Sequence, residues 1–193
     1  MTALRITLLY GSYREGRQGI KAVKHLQKAL EAQGAIVTFV DAMAYDFPIL
    51  KKRYIDYDDG TAPQAMEEIH DLLQHKTDAV VIVSGEYNGT MQPGLMNLMD
   101  HFYTEFFHKP VGLVTYSMGA LGGARVSMHL LTTLCVFGMS PIPTIFGIGT
   151  IQNKLDEDGK SLDESLTKKS NKFIKELKWY GNAFKAAHEN GSP

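Results

Sequence analysis

The residues best suited to chemistry fall in three short segments. Gly11-Ser-Tyr-Arg-Glu-Gly-Arg-Gln-Gly19 combines glycines with the hydroxyl of Ser12 and the guanidinium groups of Arg14 and Arg17. Glycines let backbone N–H groups approach an anion, a following helix N-terminus adds its dipole, and arginine forks grip phosphate oxygens. Each charged hydrogen bond contributes roughly 1.5–3 kcal/mol. The segment is therefore a candidate phosphate cradle, and its plain alternative is a glycine-rich turn with two solvated arginines. Ser84-Gly-Glu-Tyr-Asn-Gly-Thr90 brings backbone donors, the amide of Asn88 and the ring of Tyr87 together. Such a set can hydrogen-bond the edge of a flat heterocycle whose ring packs on Tyr87. Asn88-Gly89 also reads as a tight turn, although not as a hairpin, because a helix follows. In Tyr116-Ser-Met-Gly-Ala-Leu-Gly-Gly-Ala-Arg125, the glycines at 119, 122 and 123 suit a backbone that passes close to a ligand.

Several other chemistries fail on their residues. Gly11-x4-Gly16 has Walker A spacing, but Arg17 and Gln18 replace the lysine and the magnesium-binding hydroxyl. The dinucleotide fingerprint fails because Tyr13 stands where its second glycine belongs. Asp41 can mimic the ribose-binding acid of that motif, yet alone it is a common strand-end residue. The phosphate site thus looks built for a monophosphate without metal. Ser117, Asp163 and His188 occur in the order of a serine hydrolase, but Thr115 replaces the first glycine of the nucleophile elbow and His188 falls in the tail. The seven histidines form no metal-binding pair at helical spacing. No residue is singled out as catalytic.

These segments need strands and helices to hold them. β-rich runs at Leu4–Tyr10, Ala35–Val40, Ala79–Val83, Pro110–Tyr116 and Pro141–Phe146 alternate with helical patterns at Lys21–Gln33, Pro63–Lys76, Leu95–Phe107, Arg125–Phe137 and a C-terminal helix to about Ala187. Ala42–Thr61 reads as irregular, and Ser161-Leu-Asp-Glu164 as a capping box. In the last helix Phe173, Ile174, Leu177 and Trp179 form the covering face. Strict alternation predicts a three-layer, doubly wound α/β domain over 1–193 with a five-stranded parallel sheet. Five strands suit the flavodoxin-like order 2-1-3-4-5. In that order the first, third and fourth strands are neighbours, so the three segments meet at their carboxyl ends.

Composition narrows the partners. With 20 lysines and arginines against 21 acids, the net charge of −1 advertises neither a nucleic-acid nor an anionic-membrane surface. The single cysteine, Cys135, excludes an internal disulfide, and its apolar neighbours predict a buried thiol. Neither a signal peptide nor an apolar stretch of spanning length is read, and the expected location is cytoplasmic.

Together the segments resemble the flavodoxin-fold NAD(P)H-dependent FMN reductases, a family that includes quinone, azo-dye and chromate reductases. The likeness rests on Gly11-Ser12-x-Arg14-x-Gly16-Arg17-x-Gly19, on Glu86-Tyr87-Asn88-Gly89-Thr90 with Leu95-Met96-Asn97-Leu98-Met99-Asp100, and on Ser117-Met118-Gly119 with Gly122-Gly123-Ala124-Arg125. Gly85 replaces a family proline, Met96 a family lysine, and the next proline is shifted to Pro93. The resemblance implies FMN, its phosphate on Ser12, Arg14, Arg17, Gln18, Gly19 and Ile20. The flavin ring would lie against Glu86, Tyr87, Asn88 and Gly89 and against Ser117, Met118, Gly119 and Gly122. It further implies NADPH or NADH as hydride donor, a second small-molecule acceptor by ping-pong kinetics, and a homodimer or dimer of dimers built on Leu95–Phe107. A non-enzymatic electron carrier or redox-responsive partner binder is the alternative, although such carriers tend to be strongly acidic.

Overall fold

The five apolar runs become β1 (Arg5–Tyr10), β2 (Ile36–Asp41), β3 (Ala79–Gly85), β4 (Pro110–Tyr116) and β5 (Ser140–Ile148) in a computed structural model that describes residues 2–191. They form one sheet in the order β2-β1-β3-β4-β5, every neighbouring pair parallel. This is the expected order. The connecting helices are α1 (Gly19–Glu31), α2 (Ala42–Tyr45), α3 (Gln64–His75), α4 (Pro93–Asp100), α5 (Ala124–Val136), α6 (Ile151–Lys154) and α7 (Glu164–His188). β3 and β4 are buried along their whole length, as a strand covered on both faces must be. Side chains alternate between the faces, so Leu8 and Val81 join Phe146 and Phe173 under α1 and α7. Leu9 and Ile82 join Leu98 and Leu130 under α3, α4 and α5. Pro141 and Pro143 fall in β5, an edge strand, where a missing N–H is tolerated.

The differences from expectation have identifiable physical causes. The helix expected over Leu95–Phe107 ends at Asp100, and a 3-10 turn follows at Thr104–Phe106. Phe102 and Phe106 are both buried, and the His101 carbonyl accepts the Tyr54 N–H at 2.8 Å. Core packing and this long-range bond override the helical pattern. Ala42–Thr61 is not wholly irregular, since it holds α2 and a 3-10 turn at Tyr54–Asp56. α7 is capped not by Ser161 but by Asp163, whose carboxylate accepts the N–H groups of Ser165 and Leu166. That arrangement satisfies the same orphan donors two residues later. Cys135 is exposed, not buried. The inward stripe of α5 is Val126, Ser127, Leu130 and Leu134, and the next residue turns about 100° away from it. Trp179 is likewise turned out of the covering face of α7 and lies against Tyr180.

Candidate functional site at the carboxyl edge of the sheet

β1, β3 and β4 are neighbours, and the loops that leave their carboxyl ends meet. Ser12 Oγ lies 3.1 Å from Tyr87 Oη, which joins the first loop to the second. The Arg14 guanidinium stands 5.8 Å from the centre of the Tyr87 ring. Ser12, Arg14, Gln18, Tyr87, Tyr116 and Met118 line a cavity of about 210 Å³ between the loops. α1 has no side-chain cap, so the N–H groups of Gly19 and Ile20 at its start have no partner within the helix. Gln18 Nε2 donates to the Gly16 carbonyl, and its Oε1 is buried without a donor.

The two arginines of the first loop have different tasks. Arg17 donates through Nη1 and Nη2 to both carboxylate oxygens of Asp41, and through Nη1 to the Ser12 carbonyl at 3.0 Å. Its hydrogen bonds to Asp41 hold this guanidinium above its ordinary range. Asp41 also accepts the Met43 N–H and so caps α2. Asp41 is therefore committed to Arg17 and α2, which removes it as a ribose-binding acid. Arg14 is exposed and makes no ion pair. The cradle expected to present two charged forks presents one, and the other braces the loop.

Tyr116 is the pillar of the site, and sequence reasoning passed it over. Its phenol receives a hydrogen bond from Gln92 Nε2 at 3.0 Å and meets Tyr10 Oη at 3.2 Å. Burial, reinforced by Tyr10, pushes the Tyr116 hydroxyl above its ordinary range. A methyl group on Gly85 would lie 2.8 Å from the Tyr116 ring, and one on Gly19 2.3 Å from it. Gly85 thus makes room for Tyr116, which accounts physically for the glycine in place of the proline. The pairing of a strand-end tyrosine with two glycines 31 and 97 residues away in sequence is invisible until the strands are placed.

The second loop closes on itself. Tyr87 and Thr90 exchange both backbone hydrogen bonds, with Asn88 and Gly89 in the left-handed region at φ 52° and 82°. Two successive positive φ values make a tight two-residue turn, but the Tyr87–Thr90 bridge is isolated and α4 follows, so no hairpin of strands forms, as expected. The turn leaves the Asn88 amide exposed and without an internal partner. The Glu86 carboxylate turns away to α5, where it accepts the N–H groups of Arg125 and Val126 and pairs with the Arg125 guanidinium. Glu86 therefore ties the second loop to the third.

In the third loop, Gly122 and Gly123 answer to the protein rather than to a ligand. Added methyl groups would meet Gly149 at 2.9 Å and Thr115 at 2.8 Å, whereas one on Gly119 would meet nothing. Met118 is exposed at the rim. Ser117 Oγ donates to the Gly119 carbonyl at 2.9 Å. His188 contacts the His108 carbonyl, which lies before β4. Ser117 lies beyond the other end of that strand, roughly 20 Å away at 3.3 Å per residue, so the two cannot form a hydrolytic dyad.

A second cavity, about 440 Å³, adjoins the first across Tyr87 and is walled by Tyr13, Phe47, Ile49 and Pro93. Its outer wall is pinned by one side chain. Asn97 accepts the Leu50 N–H and donates to the carbonyls of Phe47 and Pro48 at 3.0–3.1 Å. Asn97 appeared in the sequence only as part of a motif. The clue to its role is a helix amide beside a long irregular segment that needs backbone partners.

The site can hold a phosphate ester with a hydroxylated chain and a flat ring. Arg14 and the α1 amides suit the phosphate, the orphan Gln18 Oε1 suits a hydroxyl, and Asn88 with Tyr87 suits the ring. No group of His, Cys, Asp and Glu able to hold a metal ion occurs among the described residues. Among them, no helix is long and apolar enough to cross a membrane.

Comparison with known proteins points the same way. Residues 4–153 match the NADPH-dependent FMN reductase family. The quinone reductase of Escherichia coli strain K12 is 30% identical over 171 residues, covering 83% of this chain and 86% of that protein. The NADPH azoreductase of Bacillus sp. strain OY1-2 is 29% identical over 126 residues, 63% of this chain and 66% of that protein. In three dimensions the chain is similar to FerB, the flavoenzyme NAD(P)H:(acceptor) oxidoreductase of Paracoccus denitrificans, with a TM-score of 0.71 at 23% identity over 92% of this chain and 99% of that one. A flavodoxin from Pseudomonas aeruginosa shares the fold at a TM-score of 0.57 and 14% identity over 91% of this chain and 99% of that one.

Proposed function

The chain belongs to the NADPH-dependent FMN reductase family, and from that premise we propose that it is a cytoplasmic, homodimeric quinone- or azo-type reductase working by ping-pong kinetics. It is an oxidoreductase whose cofactors are FMN and NAD(P)H. Bound here, FMN would supply hydride chemistry between a nicotinamide and a second acceptor. The protein supplies position and charge. Arg14, Ser12, Gly19 and Ile20 hold the phosphate, while Arg17 braces their loop through Asp41. Gln18 Oε1 would accept from the ribityl chain. Asn88 with the turn around it, and residues 117–122, would hold the ring system between them. Glu86 and Tyr116 set the spacing between these loops. The aromatic cavity beyond Tyr87 favours a flat, apolar acceptor such as a quinone. The homodimer contact is placed on Leu95–Phe107, which runs beside a groove flanked by Met96, Tyr103, Val136 and Phe137.

The observation that carries this reading is the convergence of three loops around Tyr87 and Tyr116. Anaerobic titration of the FMN-loaded protein with NADPH and NADH, followed by a panel of quinones and azo compounds, tests it. Stoichiometric FMN uptake, rapid bleaching by a nicotinamide and parallel double-reciprocal plots are expected. A protein that ignores FMN refutes the site. Intersecting plots refute the ping-pong order, and a monomer by sedimentation refutes the dimer.

A further inference from the structure

The largest cavity described lies at the amino edge of the sheet, across the strands from the flavin site. It measures about 630 Å³ and is lined by Arg5, Asp78, Phe107, Lys109, Lys185 and Glu189 among others. Its charges are unevenly matched. Asp78 accepts the Arg5 backbone N–H at 2.8 Å, the Arg5 Nη2 at 2.6 Å and the Lys185 Nζ at 2.9 Å. One carboxylate thus serves two cations. Arg5 Nη1 is also taken, by the His75 carbonyl. Glu189 is exposed beyond the end of α7.

Lys109 is the third fixed cation. It is only 9% exposed, yet makes no side-chain hydrogen bond and no ion pair within 4 Å. Glu105, the other acid that it senses, is held by His70 Nδ1 at 2.8 Å and by the Tyr103 N–H. Burial pulls the Lys109 ammonium below its ordinary range. The Lys109 stem is buried, and its ammonium, which has no protein partner among the described residues, keeps access to solvent beside the cavity, where an anion would complete it. The oxidoreductase reading uses neither Lys109 nor the Arg5–Asp78–Lys185 cluster.

We propose that this cavity binds a small phosphate-bearing anion, with the Lys109 ammonium as its anchoring charge. The Arg5 fork that a planar carboxylate would need is already occupied by Asp78. A lysine acts as a compact point charge with three donors, which suits a tetrahedral phosphate. Phe107 offers an apolar wall, and the volume leaves room for an organic body.

Calorimetric titration of the full FMN-loaded chain tests this, with inorganic phosphate, glycerol 2-phosphate, glycerol and succinate as probes at constant ionic strength. Saturable binding of a phosphate probe is expected, without displacement of FMN by absorbance. Tighter binding of glycerol 2-phosphate assigns the ligand to phosphate esters, and equal binding assigns it to the phosphate group alone. Lys109→Met should weaken binding by about tenfold or more, and Lys109→Arg should restore most of it. Lys109→Met keeps the buried apolar stem and removes an ammonium with no protein partner among the described residues, so it should fold and keep FMN. Undiminished binding in Lys109→Met overturns the proposal. So does a response that never saturates, one matched by succinate, or one that tracks FMN release.

Discussion

The two edges of the sheet carry the same parts in different settings. At the carboxyl edge, Arg17 and Asp41 form a closed pair that braces a loop, and Arg14 stands unpaired in the open. At the amino edge, Arg5, Asp78 and Lys185 form a closed cluster, and Lys109 stands unpaired under cover. In both places the paired ions define geometry and the spare cation faces a cavity. The difference is exposure. Water screens Arg14 until a ligand arrives, so its charge costs the fold little. Lys109 carries its charge at the end of a buried stem, so part of its hydration is already lost before a ligand arrives.

The largest effect should come from the closed cluster at the amino edge. Burial opposes ionisation of Asp78, but hydrogen bonds from Arg5 and Lys185 outweigh it and hold the carboxyl down at about 2. A carboxyl depressed in the folded state stabilises fully above its unfolded pKa. That contribution, about 2–3 kcal/mol, disappears as pH falls from about 4 to about 2. Asp78→Asn should cost a similar amount in urea denaturation at neutral pH and flatten the acid limb of the stability curve. An unchanged acid limb would show that the cluster contributes nothing.

The carboxyl edge comes next. Arg14→Ala should weaken FMN binding about ten- to a hundredfold, equivalent to one charged hydrogen bond or more. Riboflavin, which lacks the phosphate, should lose far less. Arg17→Ala should weaken both flavins alike and lower stability, because it removes the brace rather than the ligand contact. A larger phosphate-specific loss in Arg17→Ala than in Arg14→Ala would reverse the two roles.

A smaller effect probes the spacing of the loops. Gly85→Ala pushes a methyl group to 2.8 Å from the Tyr116 ring, an overpacking that should cost about 1–3 kcal/mol. Trimming the ring in a Gly85→Ala, Tyr116→Leu double variant should recover part of that loss. Strict additivity in the thermodynamic cycle would mean that the pillar does not set the spacing. Smallest of all, Ser117→Ala removes only a hydroxyl already bonded to the Gly119 carbonyl and keeps the loop backbone that would meet the ring, so nicotinamide-driven bleaching should stay close to that of the parent and stability within about 0.5 kcal/mol. A drop in the bleaching rate would give the hydroxyl a role that its bond to Gly119 does not suggest.

Much of this molecule was legible in the chain. Alternating apolar runs led to the parallel sheet and its order, and the glycine-rich segments marked where the loops converge. The errors fall where distant residues compete with local pattern. Phe102 and Phe106 left the helix to enter the core, and Asp163 took the cap from Ser161. Cys135 sits among apolar neighbours in sequence and still faces solvent, because helix rotation rather than neighbourhood decides burial.

The sequence by itself determined the layers and the three segments that carry the chemistry, while the strand order that five strands suited was settled by the fold. Each of these depends on periodicity and turn residues within a few positions of one another. Only the tertiary structure decided which charges are spent. Arg17 meets an acid 24 residues away, and Arg5 one that is 73 away, while Arg14 and Lys109 meet none. Pairing and desolvation depend on distance in space, and a chain of letters records only distance along itself.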